Sequence, residues 1–282
     1  MCELLALSSL RATRLSLSLE TLSSHSGSAD NTRDGWGVAY YQGKDVALFR
    51  EPRAASDSPL VRYLESQGPS TTLAISHIRH ATHGEVALAN TQPFIRELAG
   101  NVHVFAHNGD LPGIEQSDIH VAEHYRPVGT TDSEHAFCAL LERLRDAYAQ
   151  SSRTPPLQQR LDIVAAFAAD LRTLGPANFL YADGDTLFAH SHRRIQPATG
   201  SIAPPGLHIL SRRCVQTRTD VDVGAAYMVP GLQEVVLVAS VPLSDEDWCP
   251  LAEGEVVAIS SGQLRESMQR VRNAHSCATD FQ

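Results

Sequence analysis

Two long helix-forming runs stand next to each other in the middle of the chain, and strand-like runs flank them on both sides. In TDSEHAFCALLERLRDAYAQ, residues Phe137, Leu140, Leu141 and Leu144 recur at helical spacing, and Thr131 or Asp132 can cap the first turn. SSRTPP ends that run and is the most linker-like point of the chain; LQQRLDIVAAFAADLRTLG then predicts a second helix. A doubly wound parallel sheet needs strand and helix to alternate, and this order does not alternate. Two sheets with helices packed outside them fit it, and so do separate domains.

The remaining elements follow from local signals. CELLALSS predicts a short buried strand, and WGVAYYQGKDVALFR a hairpin turning at Gly43. SPLVRYLES has the spacing of a short helix, with Ser58 as cap and Pro59 in its first turn. TTLAISHIRH reads as a strand, and NVHVFAHNG as another that runs into a tight turn at Asn108 and Gly109. NFLYADGDTLFAH predicts a hairpin about Asp183 and Gly184, and HILSRR, AAYMVP, EVVLVAS and EVVAIS give further strands. There is no internal repeat. The end, through MQRVRNAHSCATDFQ, reads as a loose tail, and the division expected is one domain over 2–260 with a tail over 261–282.

With 282 residues, 43% of them hydrophobic, the chain can bury a substantial core. A formal net charge of -9 argues against nonspecific binding to nucleic acid or to acidic lipid. Five cysteines without paired CxxC spacing read as reduced thiols, and no signal segment or membrane-length apolar run is evident, so the expected compartment is the cytoplasm. The basic pairs Arg193–Arg194 and Arg212–Arg213 are expected on the ordinary surface.

Four short stretches carry residue types suited to chemistry. Cys2 either begins a buried strand or, once Met1 is removed, joins a thiol to a free α-amine that can take its proton. Arg79, where SHIRHATHGE passes from strand to loop, is either a surface cation or a planar fork for a carboxylate. His77, His80 and His83 form HxxHxxH, but no cysteine pair or acidic ligand completes a metal pattern, so no metal is expected and the histidines are read as organising the loop. Asn108 and Gly109 are either a hairpin turn or two donors to an oxyanion. Asp132 is either a helix cap or an acceptor for a substrate ammonium.

Taken in order, MCELLALS, DGWGVAYY, SHIRHATHGEVALANTQPF, FAHNGDL and GTTDSEHAF resemble the class II glutamine amidotransferases, whose glutaminase domain belongs to the N-terminal-nucleophile hydrolases. The resemblance covers 2–260 and is nearest to the compact, stand-alone YafJ-type members. It implies an α+β fold, a four-layer αββα sandwich. It implies Cys2 as the nucleophile, Asn108 and Gly109 as the oxyanion pair, Arg79 on the glutamine α-carboxylate and Asp132 on its α-ammonium. Thr82 and His83 then fall in the glutamine-binding loop, and Trp36 takes a structural or pocket-lining role. His80 stands where the larger synthases often carry an aromatic residue. The implied reaction is hydrolysis of the glutamine side-chain amide through a cysteine thioester, with no cofactor. Hydrolysis of larger γ-glutamyl amides and a non-catalytic scaffold of the same fold remain alternatives. The resemblance leaves no length for a synthetase domain, and no GxxxxGK[ST] or GxGxxG motif occurs, so either a separate synthetase or amidase subunit uses the ammonia or the enzyme only hydrolyses.

Overall fold

The computed structural model describes residues 2–15, 34–80, 85–119, 123–151, 154–216, 226–227 and 231–269. The first strands are β1 (Glu3–Leu15), β2 (Gly35–Gln42), β3 (Asp45–Glu51), β4 (Ser70–Arg79), β5 (Phe94–Leu98) and β6 (Asn101–Gly109), with helix α1 (Pro59–Gln67) between β3 and β4. Helices α2 (Asp132–Ala149) and α3 (Leu157–Leu174) come next. After them run β7 (Ala177–Ala182), β8 (Leu187–His190), β9 (Arg194–Ile195), β10 (Ile202–Ala203) and β11 (His208–Gln216). The last are β12 (Ala226–Tyr227), β13 (Gly231–Ala239), β14 (Cys249–Pro250), β15 (Glu255–Ser260) and β16 (Gln263–Gln269).

These strands form two large sheets. The first runs β14-β11-β13-β1-β4-β2-β3, with β12 also on β1; the second runs β16-β15-β8-β7-β6-β5. All the pairings between described strands are antiparallel. Leu4, Ala6, Ile75, Val104, Ala106, Leu180 and Val236 fill the space between the sheets. Leu5, Leu7, Trp36 and Leu237 face outward from the first sheet and meet Val61 and Leu64 of α1. Phe105 and Phe179 face outward from the second sheet and meet Phe137 of α2 and Phe167 of α3; the Phe105 and Phe137 rings stack at 5.3 Å. The result is the αββα sandwich. β1 carries apolar residues on both faces because both faces are covered, which is why its start reads as a continuous apolar run.

Local signals place the elements as the sequence predicts. Ser58 caps α1 by accepting from the Val61 N–H at 3.1 Å, and Pro59 opens the helix. Thr131, not Asp132, caps α2, accepting from the Glu134 N–H at 3.3 Å. Gly43 turns the β2–β3 hairpin at φ 68°, a value that suits glycine.

Three expectations are corrected. Asn108 and Gly109 make no hairpin turn: they finish β6, opposite Asn178 and Ala177 of β7. The tail does not start at 261, because β16 extends the second sheet along β15; the stretch from 270 onward lies outside the described residues. Arg194 is not on the surface but 4% exposed, paired with Glu3 at 2.8 Å. Arg193 and Arg213 do fit the surface reading, paired with Glu253 and Glu234, whereas Arg212, paired with Glu246, is half-buried.

Candidate active site

Antiparallel pairing of β1 with β4 sets Glu3 opposite Ile78, so the residue before β1 lies beside the residues that end β4. Cys2 therefore meets His80: its Sγ accepts from the His80 N–H at 3.3 Å and lies 3.4 Å from the His80 carbonyl, to which it donates. The second sheet approaches from below. Asn108, at the end of β6, donates its side-chain amide to the Cys2 carbonyl at 2.6 Å. One hydrogen bond thus joins the two sheets at the candidate nucleophile.

Gln92 organises the same edge. Its side chain bonds both ways with the His107 backbone, accepting from the N–H at 2.6 Å and donating to the carbonyl at 3.2 Å. It does there what a further β5 residue would do, while β5 itself begins only at Phe94. Past Gly109, the Asp110 N–H goes to the Pro176 carbonyl at 3.1 Å. Neighbouring N–H groups on a strand point opposite ways, so the Gly109 N–H turns away from β7. Glycine is required here by close approach: a Cβ would lie 1.8 Å from the Pro176 carbonyl oxygen.

Asp132 opens α2 with its carboxylate fixed by three donors. Oδ2 accepts from the Leu111 N–H at 2.8 Å, and Oδ1 from the Ser133 N–H at 2.7 Å and its hydroxyl at 3.2 Å. Because Thr131 supplies the cap, Asp132 is available for another task. Ser133 also contacts His107 Nδ1 at 2.9 Å. Arg79 is 4% exposed and donates to the Glu85 carbonyl at 3.0 Å.

Cys2, Arg79, His80, Gly109 and Asp132 share one cavity of about 410 Å³, within the usual range for small-molecule sites. His107 and Gln92 also line it. Burial pushes the Cys2 thiol up; the His80 backbone bond and the positive charges of the chain start and Arg79 work against that rise. A thiol raised in this way stays protonated near neutrality and needs a base to ionise it. Burial also pushes the Glu3 carboxyl up, opposed by Arg194.

The family model for class II glutamine amidotransferases matches residues 1–281. The chain belongs to that family. It is 34% identical over 257 residues to YafJ of Escherichia coli (strain K12), named as a candidate glutamine amidotransferase, covering 90% of this chain and 96% of that protein. The crystal structure of a predicted glutamine amidotransferase from Pseudomonas aeruginosa PA01 superposes with a TM-score of 0.66 at 30% identity, covering 93% of this chain and 99% of that one. The glutamine phosphoribosylpyrophosphate amidotransferase of B. subtilis shares the fold at 16% identity and a TM-score of 0.55, and there 96% of this chain spans 50% of the other. The protein is thus a glutaminase-type enzyme with the fold of the N-terminal-nucleophile hydrolases.

In this class II amidotransferase, Cys2, Arg79, His80, Gly109 and Asp132 are brought together around one cavity. Asn108 reaches Cys2 through the carbonyl. Thr82 and His83 lie outside the described residues. Trp36 is fully buried in the layer under α1, with its indole N–H on Glu51 at 3.1 Å, and is not among the described residues that line the cavity. That placement fits the structural reading of Trp36. His77 points between the sheets, fully buried. Sequence reasoning missed Gln92, His107, Ser133, Asn178 and Arg194. The HNG and TDS triplets held a signal for His107 and Ser133, since each adjoins a residue already singled out. Gln92 lies within SHIRHATHGEVALANTQPF, but Asn178 and Arg194 had no such signal, because their partners are distant in sequence.

Proposed function

We propose that the protein is a stand-alone, YafJ-type enzyme that hydrolyses the side-chain amide of glutamine through a thioester on Cys2. Removal of Met1 gives Cys2 a free α-amine, which accepts the thiol proton directly or through one water. Arg79 and Asp132 hold the α-carboxylate and α-ammonium of glutamine, so the carboxamide carbon lies against Sγ. Sulfur adds to that carbon, and the oxyanion is held by the Gly109 N–H and the second N–H of the Asn108 amide. The α-amine, now protonated, gives its proton to the leaving nitrogen as the C–N bond breaks, releasing ammonia. Water then adds to the thioester, the C–S bond breaks, and glutamate leaves with the thiol restored.

The observation that carries this reading is the meeting of Cys2, Arg79 and Asp132 in one cavity, with Asn108 bonded to Cys2 itself. A separate synthetase or amidase subunit is the proposed consumer of the ammonia. The deciding experiment measures glutamate release by pure parent and Cys2→Ala proteins whose intact masses establish loss of Met1. Parent turnover with an inactive variant is expected, and undiminished turnover in Cys2→Ala would refute the nucleophile. Running glutamine beside larger γ-glutamyl amides in the same assay distinguishes the two substrate classes, since both carry the same amino-acid end.

A further inference from the structure

A chain of buried polar contacts encircles the nucleophile, and it is made by residues outside the cavity. It begins at Asn178 of β7, which is fully buried. The Asn178 amide donates to the Asn108 carbonyl at 3.1 Å and to the Arg193 carbonyl at 2.7 Å, and its Oδ1 accepts from the His192 N–H at 2.7 Å. The segment so captured leads into Arg194. That guanidinium donates to Glu3 Oε1 at 2.8 Å and to the Ser240 carbonyl. Ser240 bonds in turn to Leu4, accepting from its N–H through Oγ at 2.7 Å and donating its own N–H to the Leu4 carbonyl at 3.0 Å. Asn108 closes the circuit on Cys2.

We infer that Asn178 and Arg194 are positioning residues for the reaction: together they hold the strand that begins with the nucleophile and the strand that ends in the oxyanion donors at one fixed separation. The inference rests on the Cys2 reading above. Its physical basis is that β1 and β6 belong to different sheets and share no backbone ladder. Among the described residues, the bonds named above that tie them together at this end of the sandwich run through side chains. Asn178 satisfies three backbone groups at once, so it has no freedom to shift without leaving buried groups unpaired. Arg194 and Glu3 are charged side chains only 3% and 1% exposed, which ties the residue after Cys2 to the 192–194 segment with little tolerance. Gly206 confirms how tight the Asn178 seat is, since a Cβ there would lie 1.6 Å from Asn178 Oδ1. Neither residue lines the cavity, so neither contributes to holding the amino-acid end of glutamine.

The test compares full-length parent, Cys2→Ala, Asn178→Ala, Arg194→Met, Arg194→Lys and Gly206→Ala, all with Met1 removed and each checked for a cooperative thermal transition. Glutamine hydrolysis is read as separate kcat and KM values. Misplacement of reacting groups predicts a kcat roughly 10- to 100-fold lower in Asn178→Ala and Arg194→Met. KM should stay within about threefold, because ground-state binding is untouched. Arg194→Lys, which keeps a cation against Glu3, should recover part of the loss, and Gly206→Ala, which displaces the Asn178 amide without deleting it, should reproduce the kcat effect. A folded Asn178→Ala or Arg194→Met protein with parental kcat, or with KM alone raised, overturns the inference. If both deletions fail to fold, Arg194→Lys and Gly206→Ala decide by the same split: lowered kcat at constant KM supports the inference, and parental kcat overturns it. Turnover in Cys2→Ala would instead remove the nucleophile reading, so the two failures are distinguishable.

Discussion

The side-chain amide of Asn108 donates to the carbonyl oxygen of Cys2 at 2.6 Å, so the residue that would stabilise the oxyanion also grips the nucleophile's own backbone. One N–H of the amide is committed to that grip and the other is left for the developing charge. Replacing Asn108 with alanine removes both. Loss of one oxyanion donor lowers kcat by about 10²- to 10³-fold in enzymes of this kind of chemistry. Asn108→Ala should fall at or beyond the upper end, with KM for glutamine changing far less. Steady-state glutaminase kinetics check it, and a kcat within tenfold of parent would contradict the dual role.

Asp132 presents the opposite profile. Its carboxylate is oriented by Leu111 and Ser133, and the part proposed for it is to hold the substrate ammonium away from the bond that breaks. Asp132→Asn keeps the shape and removes the charge. A hydrogen bond to a charged group contributes about 1.5–3 kcal/mol, so KM should rise roughly 10- to 150-fold. The measure is KM against kcat, with KM carrying most of the change.

Gly109→Ala tests the close approach of β6 to the segment before β7. The added Cβ would lie 1.8 Å from the Pro176 carbonyl oxygen and 2.8 Å from His107 Nε2. Backbone cannot yield as a flexible side chain does, so the strand end must shift. Overpacking of this kind costs about 1–3 kcal/mol. The variant should show a lower denaturation midpoint together with a larger loss of kcat than that stability change explains, because the Gly109 N–H moves with the strand.

How much of this was readable from the chain divides by the range of the interaction. Ser58, Thr131 and Gly43 act on residues three or fewer positions away, so their signals are local, although the sequence leaves Thr131 and Asp132 both open as the cap. The Asn-Gly pair at 108–109 is a turn signal as well, but here the cross-strand partners Asn178 and Ala177 extend the ladder through it. Arg194 looked like half of a surface basic pair because its partner, Glu3, is 191 positions earlier. QLRESMQ lacks the apolar alternation of a core strand, since β16 is an edge strand with mostly exposed side chains. Cys2, Arg79, Gly109 and Asp132, which share the cavity, stood in short motifs at the beginning or end of an element. The frame beneath them was not legible, because Asn178 and Gln92 look like any other polar residue until the backbone groups they satisfy are known.

Acid should weaken the fold through histidines on the strands that build the site. Burial pushes His77 of β4 and His190 of β8 down to about 3, and His103 of β6 to about 4, from an ordinary value of 6.5. Neither ring nitrogen of His77 has a hydrogen-bond partner among the described residues, so the folded state offers a proton there no stabilising contact. The unfolded chain binds those protons more readily. The stabilisation from keeping the rings neutral is therefore complete above about pH 6.5 and is lost as pH falls toward 3 to 4. Asp183 acts in the opposite sense: burial raises it to about 6 even beside Arg160, so its contribution is present at low pH and fades as pH rises through 6. Between pH 7 and 5, one such histidine costs the folded state on the order of 2 kcal/mol, and Asp183 offsets about 1 kcal/mol. The histidines prevail. Urea denaturation at pH 7 and pH 5 should show a clearly lower midpoint at pH 5, and an equal or higher midpoint there would mean that these rings are not held neutral in the folded protein.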